Sequence, residues 1–486
     1  MKLANPFSKL EYGVYALSLT LCFLLFKQSD LTHTNSSSFA YLHGHFWDFY
    51  EYNKTRMGDN NYLPIFYWIF ALWNLPLKLL GLIPEVTSVT WLHPTTIQTI
   101  WSKLLLVIFF FGSVNLVGKI ADQIVSTTKV GNPASSYLTP KLLFATSPIA
   151  IFSVFIFSGY DIFGLFFTLL GLYAYFAKRW KWFAFWFSVA ISFKYFAAFI
   201  YLPLVLIIEK RILYLIVFGI AGLAISALQF AMYWHSDAFL GQIFGLVGAK
   251  TAGATIKIRL ILANAAYVLM CCFLYLSKFD FRADVLGWSQ RAIFACMLSY
   301  AMLFSWVLWH PQWILLITPF VCLSFLFIRS QRLFLAVEIL GYLGFAAYTM
   351  NNWAGNVDNT MLYAGVFGDL LPHTNLLVTD IIGRKSMALS RTFFYGSLYV
   401  PYLFFLCERY FPGWYSGTTS VPLLHSDSSS EIKAKAIFFK IRFLVACYFV
   451  IGDMIGLLVE CALEEAVGDG SLSGSAVLAA PKAAEL

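Results

Sequence analysis

The amino-acid sequence predicts an all-α polytopic membrane protein, and three observations support this fold class. The 486 residues are 60% hydrophobic and only 12% charged, with a mean hydropathy of +0.72, whereas soluble domains carry roughly a quarter charged residues. The apolar residues occur in repeated runs, and about 20 such residues suffice for a helix to cross a hydrocarbon layer of about 30 Å. Runs such as LLLVIFFFG at 104–112 are continuously apolar, whereas a membrane β-barrel would alternate apolar and polar residues.

The cysteines and the net charge narrow the class further. Nearly all of the eight cysteines lie inside or at the edge of apolar runs, and no CxxC pair occurs. We interpret them as small packing residues rather than as disulfides or metal ligands. The formal net charge of +8 is typical of basic cytoplasmic loops in a membrane protein. The sequence therefore predicts no nucleic-acid partner, no metal site and no certain cofactor.

The first apolar span, residues 11–27, sets the orientation. Lys2 and Lys9 precede the body of this span, and the positive-inside rule places such residues in the cytoplasm. No small-x-small cleavage pattern follows the apolar part, so we expect an uncleaved span that runs outward rather than a signal peptide. The polar stretch GHFWDFYEYNKTRMGDNNYLPIFYW, residues 44–68, is therefore expected on the outer face.

Residues 62–83 follow as an apolar stretch that is interrupted by Pro64, Asn74, Pro76 and Lys78. This pattern favours an amphipathic element at the membrane surface, or a re-entrant one, over a spanning helix. The sequence therefore predicts short outer-face amphipathic helices beside the bundle.

The remaining spans alternate across the bilayer according to the lysines and arginines between them. In chain order these predicted spans are 99–121, 141–158, 162–177, 212–234, 260–277, 292–309, 313–328, 333–350, 392–407 and 438–459. Residues 182–208 have basic residues at both ends and predict a helical hairpin with Lys194 near its tip. In total we expect about 11–13 transmembrane helices, and loops at 235–258 and 351–390 on the outer face.

The chain is predicted to form a single transmembrane domain over residues 1–461. Its longest polar stretches are about 40 residues, too short for an independent soluble domain. Residues 462–486 are small and polar and predict a disordered tail.

Two acids stand out in the polar regions. Asp48, with Glu51 close by, lies in the aromatic sequence WDFYEYN, and an acid held at the hydrocarbon boundary is costly unless it has a partner or a function. A solvated surface acid is the alternative interpretation. Asp161 in FSGYDIFGLF begins a span, where a first-turn acid is also favoured by the helix dipole alone.

Four basic residues are candidates for anion binding. Lys194 lies far from both cytoplasmic flanks, which makes snorkelling difficult and favours a functional role. Lys257 and Arg259 oppose the positive-inside bias on the expected outer face, and an anionic lipid head group would explain them. His310 in WHPQW is either a structural residue at a helix boundary or a hydrogen-bond donor to phosphate.

The order of these features resembles the GT-C superfamily of integral-membrane glycosyltransferases, especially its polyprenol-phosphate-dependent, mannosyltransferase-like members. The resembling parts are WDFYEYN after the first span, YLPIFY behind it, SGYD at the start of a span, LFFTLLGLYAYFAKRWKWFAFWFSVAISFKYFAAFIYLPLVLI, and HPQW. The resemblance covers about residues 10–330 as a GT-C-like module, which leaves about 331–461 as C-terminal helices.

In that family the acid of the first outer loop is the catalytic base, and the resemblance places it on Asp48, with Glu51 as the neighbouring alternative. Many relatives have a tandem acidic pair there, whereas Phe49 and Tyr50 separate these two acids. The predicted phosphate-binding residues are Lys257, Arg259, His310 and Lys194. The predicted substrate-binding residues are Asp161, which corresponds to the family's second acid, Tyr52, Tyr62 and Gln312.

The resemblance implies a hexosyltransferase, with mannose as the nearest likeness. A polyprenyl-phosphate sugar would donate to a lipid-linked or cell-surface glycan, with inversion, on the outer face of a plasma (inner) membrane or of a eukaryotic ER membrane. Two alternatives remain open. One is a transporter or flippase for a lipid-linked sugar, although no internal repeat is visible. The other is a polysaccharide polymerase or ligase, with its main residues in the late loop 351–390.

Overall fold

All regular secondary structure that the structure describes is helical. The computed structural model covers the full chain and describes residues 9–58, 60–128, 139–251, 254–277, 279–306, 309–328, 331–352, 361, 364–367, 387–410, 437 and 440–442. The helices are α1 (Lys9–Leu25), α2 (Ser29–Ser37), α3 (Phe39–Leu42), α4 (Phe49–Arg56), α5 (Pro64–Leu79), α6 (Ser88–Leu92), α7 (Thr96–Thr128), α8 (Pro140–Ala145), α9 (Pro148–Ile151), α10 (Asp161–Phe176), α11 (Trp180–Phe193), α12 (Ala198–Ile208), α13 (Ile212–Tyr233), α14 (Asp237–Thr251), α15 (Ala254–Leu276), α16 (Val285–Trp306), α17 (Thr318–Ser324), α18 (Gln331–Asn352) and α19 (Met387–Tyr410).

Three of these helices are long and apolar enough to cross a membrane. The qualifying segments are Thr96–Thr127, Ile212–Tyr233 and Gln331–Thr349. The bent pair formed by α1 and Ser29–Leu42, whose axes differ by 67°, makes a fourth if it is one broken span. These helices support an all-α membrane protein, and the larger number of 11–13 spans remains a prediction.

A layer of short helices, α2 to α6, follows α1. Helix α5 is amphipathic: Phe66 and Phe70 are fully buried, whereas Leu72 and Leu79 on its other side are 73% and 82% exposed. The amphipathic element predicted at 62–83 is thus present as a helix. Its position at a membrane surface remains a prediction.

The segment predicted as a helical hairpin at 182–208 is interrupted at Lys194, and its form as a hairpin stays a prediction. Helix α11 ends at Phe193, Lys194 adopts an extended backbone (φ −153°, ψ 122°), and a 3₁₀ turn leads into α12. Helix α10, which packs between α7 and α11, begins beside this interruption. The break positions the candidate site described below.

The span predicted over 141–158 is not one continuous helix, and whether it crosses a membrane stays a prediction. The chain forms α8, then α9, and then a π-helical turn over Phe152–Ile156. Ser147 caps α9 by accepting a hydrogen bond from the Ala150 amide at 3.4 Å. Pro148 has no amide hydrogen to continue the preceding helix, so apolar composition alone does not make this segment a single helix.

The prediction of a loop over 235–258 is also wrong, because α14 and the start of α15 occupy these residues. Ser236 caps α14 by accepting from the Phe239 amide at 2.9 Å, and Phe239 is fully buried against Tyr50 and Phe230. The prediction counted polar residues and missed this cap. Lys257 and Arg259 consequently lie within a helix rather than at the end of a loop.

The span predicted at 313–328 is likewise divided, into a 3₁₀ turn over Pro311–Leu316 and the short helix α17. Most of the late loop 351–390 and of the predicted span 438–459 lies outside the described residues, as does the whole tail 462–486. The described part of the late loop binds the end of α1: Lys27 N donates to Met361 O at 2.9 Å and Val366 N to Leu24 O at 3.0 Å.

A buried ion pair joins Arg442, the last described residue, to Glu338 on α18. Arg442 is fully buried and donates from Nε and Nη2 to the two carboxylate oxygens of Glu338, at 2.8 and 3.0 Å. Its Nη1 donates to Thr146 Oγ1 at 2.8 Å and its Nη2 to Leu143 O at 2.7 Å. Residue 442 is thereby bound to both α8 and α18.

Candidate functional site

The central feature of the candidate site is a buried ion pair between Asp161 and Lys194. Lys194 Nζ donates to Asp161 Oδ1. The side chain of Asp161 is only 2% exposed and that of Lys194 only 9%. A buried charge is costly unless it is paired and hydrogen bonded. The structure thus brings together two of the residues that the sequence singled out.

Local structure explains why these two residues meet. Asp161 begins α10, where the helix dipole favours a negative charge, as the structural interpretation of this acid predicts. Lys194 lies just past the end of α11, and its backbone amide still donates to Ala190 O at 3.0 Å. Its side chain therefore leaves the helix beside the start of α10.

Aromatic rings surround the ammonium group of Lys194. Its Nζ atom lies 4.5 Å from the ring centroid of Trp313, 5.5 Å from that of Phe196 and 5.9 Å from that of Tyr62. Cation–π contacts of this kind strengthen when the cation is removed from water. They explain how an apolar region accommodates the lysine.

Gln312 packs against Gly159, which lies in the turn before α10. A Cβ atom on Gly159 would lie 2.9 Å from Gln312 Cβ and 2.9 Å from Ser153 O, so only a glycine permits this close packing. His310 lies two residues before Gln312 and is partly exposed, with its ring centroid 5.0 Å from that of Trp313. Trp313 links His310 to the ion pair, because its ring also lies 4.5 Å from Lys194 Nζ, and the roles predicted for His310 and Gln312 stay predictions.

Asp30 is an acid whose charge acts on this site and that the sequence analysis did not identify. It is exposed in the first turn of α2, and its charge acts on Lys194 as well as on Tyr62 and Tyr160. The signal was present in the sequence, because Asp30 is the first acid after the first span. The aromatic density around Asp48 drew the prediction to the later acid instead.

Tyr62 connects the acids electrostatically. Burial raises the pKa of its hydroxyl, and the negative charges of Asp161 and Asp30 raise this pKa further. Its ring meets that of Tyr160 edge to face, with centroids 5.4 Å apart. The Tyr62 hydroxyl therefore remains neutral beside the start of α10.

Asp48 belongs to a second group of side chains. His45 Nδ1 lies 2.9 Å from Asp48 Oδ2, and the His45 ring stacks on Tyr52 with centroids 3.5 Å apart. The guanidinium group of Arg56 lies over the Tyr52 ring, 3.9 Å from its centroid. The charges of Asp48 and Glu51 act on Tyr233. Asp48 thus contacts His45, whose ring stacks on Tyr52, and Tyr233 at the end of α13 donates to Phe46 O at 2.6 Å.

The predicted phosphate-binding residues are only partly described. The backbone at Lys257 and Arg259 belongs to α15, and their side chains lie outside the description. Among the described residues, no group of three His, Cys, Asp or Glu side chains could hold a metal ion.

Lys103 binds backbone carbonyl groups beside the break between α1 and α2. It is 1% exposed and donates to Phe26 O, to Cys22 O at 3.4 Å and to Phe155 O at 3.0 Å. The first two are carbonyl groups in and just after the last turn of α1, which a cation stabilises. Lys103 therefore fixes the end of α1, from which the chain continues to Asp30.

Comparisons with known proteins identify no relative: no family model, curated protein or solved structure matches the chain. Function is therefore inferred from the chemistry of the described residues and from the sequence motifs.

Proposed function

We propose that this protein is a membrane glycosyltransferase. It moves a hexosyl residue, with mannose the first candidate, from a polyprenyl-phosphate sugar to a lipid-linked or cell-surface glycan on the extracytoplasmic face. The observation that supports this most is the buried Asp161–Lys194 pair, with an exposed carboxylate, Asp30, within electrostatic range. An exposed acid beside a preorganised polar site is what removal of a proton from an acceptor hydroxyl requires.

The chemistry is a direct displacement. The acceptor oxygen forms a bond to the anomeric carbon while its proton passes to the carboxylate. The bond from the anomeric carbon to the phosphate oxygen breaks, and its electron pair leaves with the polyprenyl phosphate. Attack from the face opposite the leaving group inverts the anomeric centre. Cations placed near the leaving phosphate stabilise the charge that develops in the transition state.

We assign the general base to Asp30, with Asp48 and Glu51 as the second choice. Asp30 acts electrostatically on Lys194 and Tyr62, whereas Asp48 and Glu51 act on Tyr233.

The cations are assigned separately. Lys194 is already paired, so we assign it to holding Asp161 rather than the phosphate. His310, Lys257 and Arg259 remain the candidates for the phosphate.

The test is transfer by the purified protein in lipid nanodiscs, with a panel of polyprenyl-phosphate hexoses and a glycolipid acceptor. Wild-type protein is expected to transfer at least one hexose, and Asp30→Asn to reduce the rate about 10²–10⁴-fold while donor binding persists. Asp122→Asn, an exposed acid on α7, is the matched control and should transfer normally. If Asp48→Asn abolishes transfer and Asp30→Asn does not, the base is Asp48. Absence of transfer from every donor overturns the proposal.

A polysaccharide polymerase or ligase is the second candidate, and one observation favours it. Met361 and Val366 of the late loop make backbone hydrogen bonds with Lys27 and Leu24 at the end of α1, close in sequence to Asp30. A late loop beside the first loop would suit an enzyme that positions a long glycan. The same assay separates the candidates, because a ligase would transfer a preassembled oligosaccharide and a hexosyltransferase a single sugar.

A further inference from the structure

Three buried polar side chains near the ion pair lack a protein partner. Ser153, Ser158 and Gln312 are 0%, 2% and 5% exposed. Within the described part of the chain, Ser153 Oγ, Ser158 Oγ and Gln312 Oε1 have no hydrogen-bond partner. Nearly all buried polar groups in proteins are hydrogen bonded, so three exceptions at one place require an explanation. We call these three residues the polar corner.

The three residues of the polar corner pack around Gly159. The Gly159 amide donates to Ser153 O at 2.7 Å, and the position of a Cβ on Gly159 would be 2.9 Å from Gln312 Cβ. Ser158 is the adjacent residue in the chain, and its φ of 60° lies in the left-handed region that few residues other than glycine adopt. Strained backbone of this kind is often found where a side chain is held for binding.

The charges beside the polar corner favour a neutral ligand over a phosphate. Asp161 begins the helix that follows Ser158, and its charge is paired with that of Lys194. A phosphate would meet a cation that is already paired and a carboxylate that repels it. A neutral ligand with several hydroxyl groups meets neither penalty and can exchange hydrogen bonds with two serines and an amide.

The surrounding side chains fit the same ligand. Trp313 lies against Lys194 and presents an aromatic ring beside Gln312. Tyr62 is partly exposed, and Tyr195, the residue after Lys194, is 57% exposed. Binding sites commonly combine aromatic walls with a few polar groups that fix orientation.

We propose that the polar corner is the subsite that recognises the hydroxyl groups of the donor hexose. Ser153 and Ser158 are its new members. The inference rests on the proposed transferase function and adds to it the part of the site that distinguishes a sugar-bearing lipid from the bare lipid phosphate.

The experiment measures binding to purified protein in nanodiscs, with two probes: a short-chain polyprenyl-phosphate mannose and the matching polyprenyl phosphate without sugar. Ser153→Ala and Ser158→Ala are each expected to weaken binding of the mannosyl lipid about tenfold, the loss of roughly one hydrogen bond. Binding of the bare phosphate should not change, which also shows that the variants are folded. Ser299→Ala is the matched control, because this buried serine already donates to Ala295 O of its own helix at 2.7 Å.

Three outcomes overturn the subsite. Both variants bind the mannosyl lipid normally, in which case the hydroxyl groups serve ordered water only. Both probes weaken equally, in which case the serines are structural. Wild-type protein prefers neither probe, in which case no sugar subsite exists. The transferase and subsite proposals can fail separately. If wild-type protein transfers a hexose while the variants bind normally, the transferase function stands and the subsite does not.

Discussion

At the scale of single residues, the Asp161–Lys194 pair gives the first prediction. Removing one partner of a buried ion pair leaves an uncompensated charge and costs about 3–5 kcal/mol, whereas replacing both is often tolerated. We expect Lys194→Met and Asp161→Leu each to lower the melting temperature in detergent strongly, and the double variant to recover much of the loss. The measurement is thermal melting followed by size-exclusion chromatography.

Lys119→Met is the control for this experiment, because Lys119 is an exposed lysine on α7 and should melt like the wild type. Additive losses in the double variant would contradict a direct interaction between Asp161 and Lys194.

At the scale of elements, the contact between α10 and α11 depends on one glycine. A Cβ on Gly171 would lie 2.5 Å from the Phe187 ring, and that ring is boxed by Phe183 and Tyr201, with centroids 5.0 and 5.1 Å away. Gly171→Ala should therefore destabilise the protein by about 1–3 kcal/mol through overpacking. Thermal melting measures this change.

Gly164 is the matched control in the same helix. A Cβ there would lie 3.5 Å from Phe193 Cβ, an ordinary contact. Gly164→Ala should be neutral or stabilising by about 0.5–1 kcal/mol, because alanine favours a helix. Equal melting temperatures for the two variants would show that α10 and α11 do not pack through Gly171.

At the scale of the whole molecule, the orientation in the membrane can be tested. In a variant whose native cysteines are replaced, a cysteine at position 47 should react with a membrane-impermeant maleimide added outside intact cells. Trp47 is 72% exposed and lies in the first outer loop predicted from the basic residues. A cysteine at the exposed Lys181 should react only after permeabilisation. Labelling of both from the same side would overturn the topology and move the proposed site to another compartment.

Much of the element pattern could be predicted from the sequence. Long apolar runs predicted α7 and α13, and the lysine within an apolar stretch predicted the break at Lys194. The failures share a cause: Ser147 with Pro148, and Ser236, are local caps that divide or begin helices. Average hydropathy over a segment does not detect such caps.

By itself, the sequence determined the membrane class, the start of a helix at Asp161 and the interruption at Lys194, because hydropathy and helix ends depend on neighbouring residues. Only the tertiary structure decided that Asp161 and Lys194 pair across 33 positions. It also brought Asp30 into electrostatic range of that pair and collected Ser153, Ser158 and Gln312 around Gly159. Contacts of this kind depend on how helices pack, and packing is a property of the whole chain rather than of any segment.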